Sequence, residues 1–347
     1  MRNQSVTIAK GIAIILMVMG HARCPEYIYN MILMFHMPLF FIMSGYCFKE
    51  KYIDQPKDFF YKRMKGIYWP YIKWSLFFLL IHNICLHLNI YNENYGFNGK
   101  TSKLYELNDY LSHGAQILTK MGGHEQLLGG YWFLKSLFFG SFIFYFTRKY
   151  IPNIKIGIIL LILLTVILSF FQIKIPYFAI GARETFAAFF MMFGHYYRTN
   201  NYKIEYNKYF NIVALLFITL GSFFWHASLT SFTYLQVFPY AVSAIAGTLV
   251  IFNVSHYFES RKDRLVVRFL DYVGNYTYNV LTWHFLSFKI VSLLLIALYG
   301  LSIEHLAEFP VIESLAHKGW WIVYLIIGAG VPIVWTYYYH QIKDLYL

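Results

Sequence analysis

The sequence predicts an all-α, polytopic membrane protein, with about ten transmembrane helices around a central polar cavity, and three observations predict it. Of the 347 residues 58% are hydrophobic and only 13% are charged, against roughly 25% charged in an ordinary soluble domain. Apolar stretches long enough to cross a bilayer follow one another along the whole chain. The basic residues alternate between dense and sparse connections, the pattern that positive-inside sorting produces.

The stretches fall at 6–22, 28–48, 66–88, 129–147, 153–172, 179–197, 208–226, 234–257, 273–298 and 320–339. The first has the charged start of a secretory leader, but it runs into Gly20-His21-Ala22-Arg23 with no small-x-small cleavage site, so it is expected to stay as a span. With the amino terminus in the cytoplasm, the inner connections carry eighteen Lys and Arg, Arg2 among them, and the outer ones six. Both termini are therefore expected in the cytoplasm, with the chain a multi-pass protein of the cell inner membrane. Two outer connections exceed a simple turn, 88–128 and 300–319, and both are expected to be partly helical lids. No appended soluble module, repeat or low-complexity tract is visible, so residues 1–347 read as one integral-membrane domain. The net charge of +12 is divided among short loops and interior positions, which argues against a nucleic-acid partner. Cys24, Cys47 and Cys85 have no paired spacing, so neither a disulfide framework nor a metal site is expected.

Five bases fall inside the stretches: Lys10, Lys73, Lys135, Arg183 and Lys289, with Glu184 as the one acid. A charge at mid-membrane costs at least about 2.5–3.5 kcal/mol. One carboxylate cannot balance five cations, which leaves an interior suited to holding an anion. His21, His36, His195, His226, His256 and His284 also lie in or at the edges of the stretches. Among all of these Lys73 reads as snorkelling to the headgroups, His226 and His256 as interfacial, and His195 as bonded to a backbone carbonyl.

At ~1.5 Å per residue, His21 lies ~16 Å outward of Lys10, and eleven residues at ~100° each bring it back almost to the same helix face. His36, Lys135, Arg183 and Glu184 are expected in the outer half of the membrane, with His284 and Lys289 near mid-depth and above. Lys62, Arg63 and Lys65, beside Tyr68 and Trp69, form a basic cluster at the cytoplasmic mouth of the third stretch. That cluster suits either membrane anchoring or phosphate binding.

A basic inner mouth, a polar interior and an outward histidine with a carboxylate nearby describe a path for a long anionic donor. Acyl-coenzyme A fits, its phosphates held among cytoplasmic Lys and Arg while its thioester reaches outward. His21 is expected to act as general base on an external hydroxyl, with His36 or Glu184 orienting it or the acceptor. Lys10, Arg63 and Lys135 are expected to steady the donor or the developing oxyanion, and Arg183 and His284 to meet the acceptor. Direct transfer and a covalent acyl-imidazole both remain open. The alternative is a transporter or flippase of a lipid-linked sugar or similar envelope precursor, which also wants interior cations but needs no histidine on the face of Lys10.

Five segments in order resemble the acyltransferase 3 group of membrane-bound acyltransferases: K-G-I-A-I-I-L-M-V-M-G-H at 10–21, F-H-M-P-L-F-F-I-M-S-G-Y at 35–46, Y-K-R-M-K-G-I-Y-W-P-Y at 61–71, G-G-Y-W-F-L-K-S-L-F at 129–138 and G-N-Y-T-Y-N-V-L-T-W-H at 274–284. The resemblance covers nearly the full chain. It implies an O-acyltransferase, most often an acetyltransferase, that decorates a cell-envelope glycan or glycolipid from cytoplasmic acetyl-CoA. It places Lys10 and His21 at the motif's base and histidine, His36 at the second-span histidine, Arg63 at a basic position thought to meet the cofactor, and Trp132 at the W-F-L position. Lys65 and then Gly66 stand where many members have paired arginines, which bears on the phosphate contacts. The segment G-G-H-E-Q-L-L-G-G at 122–130 looks like a subgroup feature, with His124 and Glu125 expected to shape the acceptor mouth.

Overall fold

The computed structural model describes residues 3–97, 100–225, 227–261 and 264–346; the expectations for Arg2 and His226 lie outside the described residues. Among the described residues the regular structure is helical apart from one antiparallel pair of two-residue strands, Gly96–Phe97 with Lys100–Thr101. In chain order the helices are α1 (Gln4–His21), α2 (Glu26–Leu33), α3 (His36–Tyr46), α4 (Lys51–Asp54), α5 (Pro56–Arg63), α6 (Trp69–Leu80), α7 (His82–His87), α8 (Leu107–Lys120), α9 (Trp132–Tyr150), α10 (Ile154–Phe170), α11 (Ala182–Thr199), α12 (Lys208–Phe224), α13 (Val237–Glu259), α14 (Leu265–Asn275), α15 (Thr277–Tyr299), α16 (Glu313–Leu315) and α17 (Trp321–Tyr346).

Among the described residues six helical stretches are long and apolar enough to cross a membrane: Gln4–His21, Glu26–Tyr46, Gln126–Tyr150, Tyr234–Glu259, Thr277–Tyr299 and Glu313–Lys343. The four other stretches expected from hydropathy are helical too, but shorter or more charged. α10 and α12 have 17 residues each, α11 carries Arg183, Glu184 and Arg198, and the third stretch is divided at Ile81 between α6 and α7. The second stretch also has a break, at Met34–Phe35. Pro38 has no N–H to give to Met34, so the ladder is interrupted there; the His36 ring bonds the Ile32 carbonyl at 2.7 Å beside the gap.

Local caps fix the other starts. Asn153 accepts from the backbone N–H groups of Lys155 and Ile156 at the head of α10, and Asn207 does the same for Tyr209 and Phe210 at α12. Two helices absent from the hydropathy reading are amphipathic: α8, within the 88–128 connection, and α14, which buries Val267, Leu270 and Val273 at helical spacing.

The chain divides into two compact units. The first comprises Met1–Ala13, Asn30–Pro70 and Trp132–Asp271, and is organised on α11, which packs against α3, α9 and α10. The α3–α11 crossing depends on two glycines. A Cβ on Gly45 would stand 1.8 Å from the Met191 carbonyl oxygen, and one on Gly194 would stand 1.9 Å from that of Ile42. Small residues at a crossing let the backbones touch, which is how membrane helices gain packing without a hydrophobic drive between them. The second unit comprises Ile14–Tyr29, Tyr71–Tyr131 and Tyr272–Leu347, and is organised on α15 with α17, the turn at Gln126–Tyr131 and the turn at Ile303–Ala307 against it.

Candidate active site

α1 ends at His21, and α15 carries His284 two turns from its start. In the second unit the two imidazoles meet, His21 Nδ1 lying 2.9 Å from His284 Nε2 with the rings stacked at 5.1 Å between centroids. Phe285 packs on His21 at 4.8 Å, and Phe309 on Phe285 at 4.5 Å. His284 is fully buried, and its Nδ1 is 3.0 Å from the carbonyl oxygens of both Val280 and Leu281. Carbonyl oxygens only accept, so the His284 proton sits on Nδ1, and a neutral His284 presents the Nε2 lone pair. His21 then donates its Nδ1–H to that lone pair, which makes Nε2 the basic nitrogen of His21. The partner of His21 that the structure supplies is thus a second imidazole, one that the sequence had placed with the acceptor.

The turn before α9 lies along the same face of α15. Tyr131 bonds Thr282 at 2.9 Å and Tyr278 at 3.0 Å, and a Cβ on Gly130 would come within 2.9 Å of Leu281. The G-G-Y and T-Y-N-V-L-T-W-H segments are therefore in contact. Close by in sequence, His124 Nδ1 is 3.4 Å from the Tyr71 hydroxyl. Glu125 is buried against His82, its Oε2 2.7 Å from Nδ1, while His82 Nε2 donates to the Lys103 carbonyl at 2.9 Å and its ring stacks on Tyr105 at 3.5 Å. Burial, with the Glu125 carboxylate beside it, pushes the Tyr105 phenol up. Glu125 and His82 tie the 88–128 connection to α7. Lys289 does comparable work for the 300–319 connection, donating to the Leu306 carbonyl at 2.8 Å and the Glu308 carbonyl at 2.7 Å. Its interior charge thus has a structural use.

The remaining expected site residues belong to the first unit. His36 is buried and held by Ile32 as described. Glu184 Oε1 accepts from the Ser136 hydroxyl and Oε2 from the Gly181 N–H, both at 2.9 Å, so its carboxylate fastens the start of α11 to α9. Arg183 donates from Nε to the Leu229 carbonyl at 3.1 Å and lies over the Trp132 ring at 5.2 Å. Lys135, Arg183 and Glu184 line one cavity. In the basic segment Lys62 bonds the Tyr52 hydroxyl, Arg63 donates to Ser44 at 3.4 Å and lies over Phe59, and Lys65 sits 5.9 Å from the Tyr61 ring centroid. Burial lowers Arg63 to about 10, which still leaves it cationic at neutral pH. Lys10 lies on α1, in helical register with His21. Among the described residues no three His, Cys, Asp or Glu side chains are grouped as a metal site requires.

Over residues 3–340 the chain matches the family model described as an acyltransferase domain. The chain belongs to the acyltransferase 3 family. No curated protein and no solved structure matches it. The acyltransferase 3 match takes in both units, so the protein is an acyltransferase whose family domain includes the His21–His284 pair.

Sequence reading missed two partnerships. His82 went unremarked although it falls in the third apolar stretch, where an imidazole also needs a partner. His195, expected on a backbone carbonyl, instead meets Glu50 at 2.6 Å, and Arg148 reaches the same carboxylate at 3.0 Å. Glu50 lies outside the apolar stretches, so counting acids within spans could not find it.

Proposed function

We propose that this acyltransferase moves an acyl group, acetyl in the first instance, from cytoplasmic acyl-CoA to a hydroxyl of an extracytoplasmic envelope carbohydrate, with His21 as general base. The observation that carries the reading is the imidazole pair: His284, held by two carbonyls, orients His21 so that Nε2 is the proton-accepting nitrogen. In the step, Nε2 takes the hydroxyl proton as the oxygen attacks the thioester carbonyl. The carbon–sulfur bond breaks, and the coenzyme A thiolate recovers the proton from the imidazolium. The ester and free coenzyme A are the products.

The reading takes all ten hydropathic stretches as crossings around a polar path, with both termini in the cytoplasm of a cell whose inner membrane holds the protein. Lys62, Arg63 and Lys65 then face the donor phosphates, with Lys10 further along the donor and Trp132 beside it. His124 and Glu125 border the acceptor entrance through the connection they anchor. His36 and Glu184 act by holding the helix turns on which the site depends. Ester-linked acetate on surface glycans, compared between cells carrying the wild-type chain and an equally expressed His21→Ala chain, tests the proposal. Loss of the ester in the variant is expected; an undiminished ester overturns it, and movement of a lipid-linked sugar without acyl transfer supports the transporter instead.

A further inference from the structure

The cavity that Lys135, Arg183 and Glu184 line has a volume of about 420 Å³ and is built entirely within the first unit. Its walls are the end of α10, the turn leading to α11, the start of α11, residues 229–232 and the first turn of α9, which contributes Lys135. Lys174 joins Lys135 and Arg183, so three cations face one carboxylate. That carboxylate is already committed, since both Glu184 oxygens accept the bonds that start α11. Arg183 is held in plane by the Leu229 carbonyl and the Trp132 face, which leaves its two terminal nitrogens as a fixed fork suited to a carboxylate or phosphate. Thr230 and Ser231 bring hydroxyls to the same wall, as a sugar ligand requires.

We propose that this cavity binds the anionic group, a carboxylate or a phosphate, of an acidic saccharide, and that this saccharide is the acceptor. The side of the membrane, and the role as acceptor, rest on the function proposed above; the charge preference does not. A neutral sugar offers the Arg183 fork no charge to meet, whereas a carboxylate or phosphate can take both of its terminal nitrogens.

The test uses the purified full-length protein in phosphatidylcholine nanodiscs, titrated calorimetrically with a uronate-containing oligosaccharide, its carboxyl-reduced neutral counterpart, and a neutral oligosaccharide bearing a phosphate ester. At least one anionic saccharide is expected to bind about tenfold or more tighter than the neutral one, the strength of a charged hydrogen bond. Whichever anionic saccharide binds tighter identifies the group. Lys174→Gln, at an exposed position, and Arg183→Gln are each expected to weaken that binding by about tenfold. Equal binding of the neutral counterpart, binding of neither anionic saccharide, or unchanged affinity in both variants overturns the proposal. Acetyl-CoA turnover measured on the same wild-type samples separates the two readings. Anion binding without turnover overturns the acyl-transfer reading and leaves the site standing, while turnover without charge preference overturns the site alone.

Discussion

In the proposed reaction His284 acts through His21, whose Nδ1 lies 2.9 Å from the His284 Nε2. The His284 Nδ1–H is committed to the carbonyls of its own helix, and the tautomer so fixed decides which nitrogen of His21 accepts a proton. Removing His284 therefore alters orientation and leaves the base itself in place. We expect His284→Ala to lower kcat for acyl transfer by about ten- to a hundredfold, the cost typical of losing a residue that orients a histidine, with KM for acetyl-CoA nearly unchanged. His21→Ala should cost about 10²–10⁴-fold, the contribution of a general base. Steady-state rates on purified variants check both, and a His284→Ala loss confined to KM contradicts the orienting role. At this scale the sequence marked Lys10, His21 and His284 through their spacing and motifs. It did not show that His21 and His284 touch, because they are separated by 263 positions and helical periodicity speaks only within one helix. The same limit hid His82 behind Glu125, whose contact depends on how an irregular connection folds.

The helices themselves were the most legible elements, since bilayer-length hydropathy is a strong and local signal. Every expected stretch is helical, but the breaks at Met34–Phe35 and Ile81 were not foreseen. α14 was taken as a connection because its 11 residues are too few to cross a bilayer and include Arg268 and Asp271. Packing between helices was less legible still, since a glycine in an apolar run does not say which backbone it meets. Gly45 and Gly194 give the α3–α11 crossing no room for a side chain. Gly194→Val should force the helices apart, at about 1–3 kcal/mol or more. In contrast a Cβ on Gly330, within α17, meets nothing within 4 Å, so Gly330→Ala should be neutral or stabilising by up to about 1 kcal/mol. Thermal unfolding in detergent distinguishes them; equal melting temperatures for the two variants contradict the close crossing.

For the whole molecule, charge placement carries the topology. Eighteen inner bases against six outer ones set the proposed orientation, and the cysteines offer a direct probe of it. Cys47 is exposed at the end of α3, on the side assigned to the cytoplasm, whereas Cys24 and Cys85 are buried. Burial raises the Cys24 thiol to about 11, so little reactive thiolate is present at neutral pH. A membrane-impermeant maleimide should label Cys47 in inverted vesicles and leave it unlabelled in intact cells whose outer barrier admits the reagent; the reverse pattern inverts the topology. The general chemistry was legible at this scale because the five motifs span the chain in order, as the family match over residues 3–340 bears out. The proposed charge of the acceptor was not, since the cavity around Arg183 is assembled from three separate segments of the chain. The most direct measurement of the central claim is transfer of radiolabelled acetate in proteoliposomes, with acetyl-CoA supplied only at the face carrying Arg63 and an acidic oligosaccharide only at the other. Ester-linked label on the oligosaccharide that disappears with His21→Ala is the predicted result, and label that persists undiminished in that variant contradicts it.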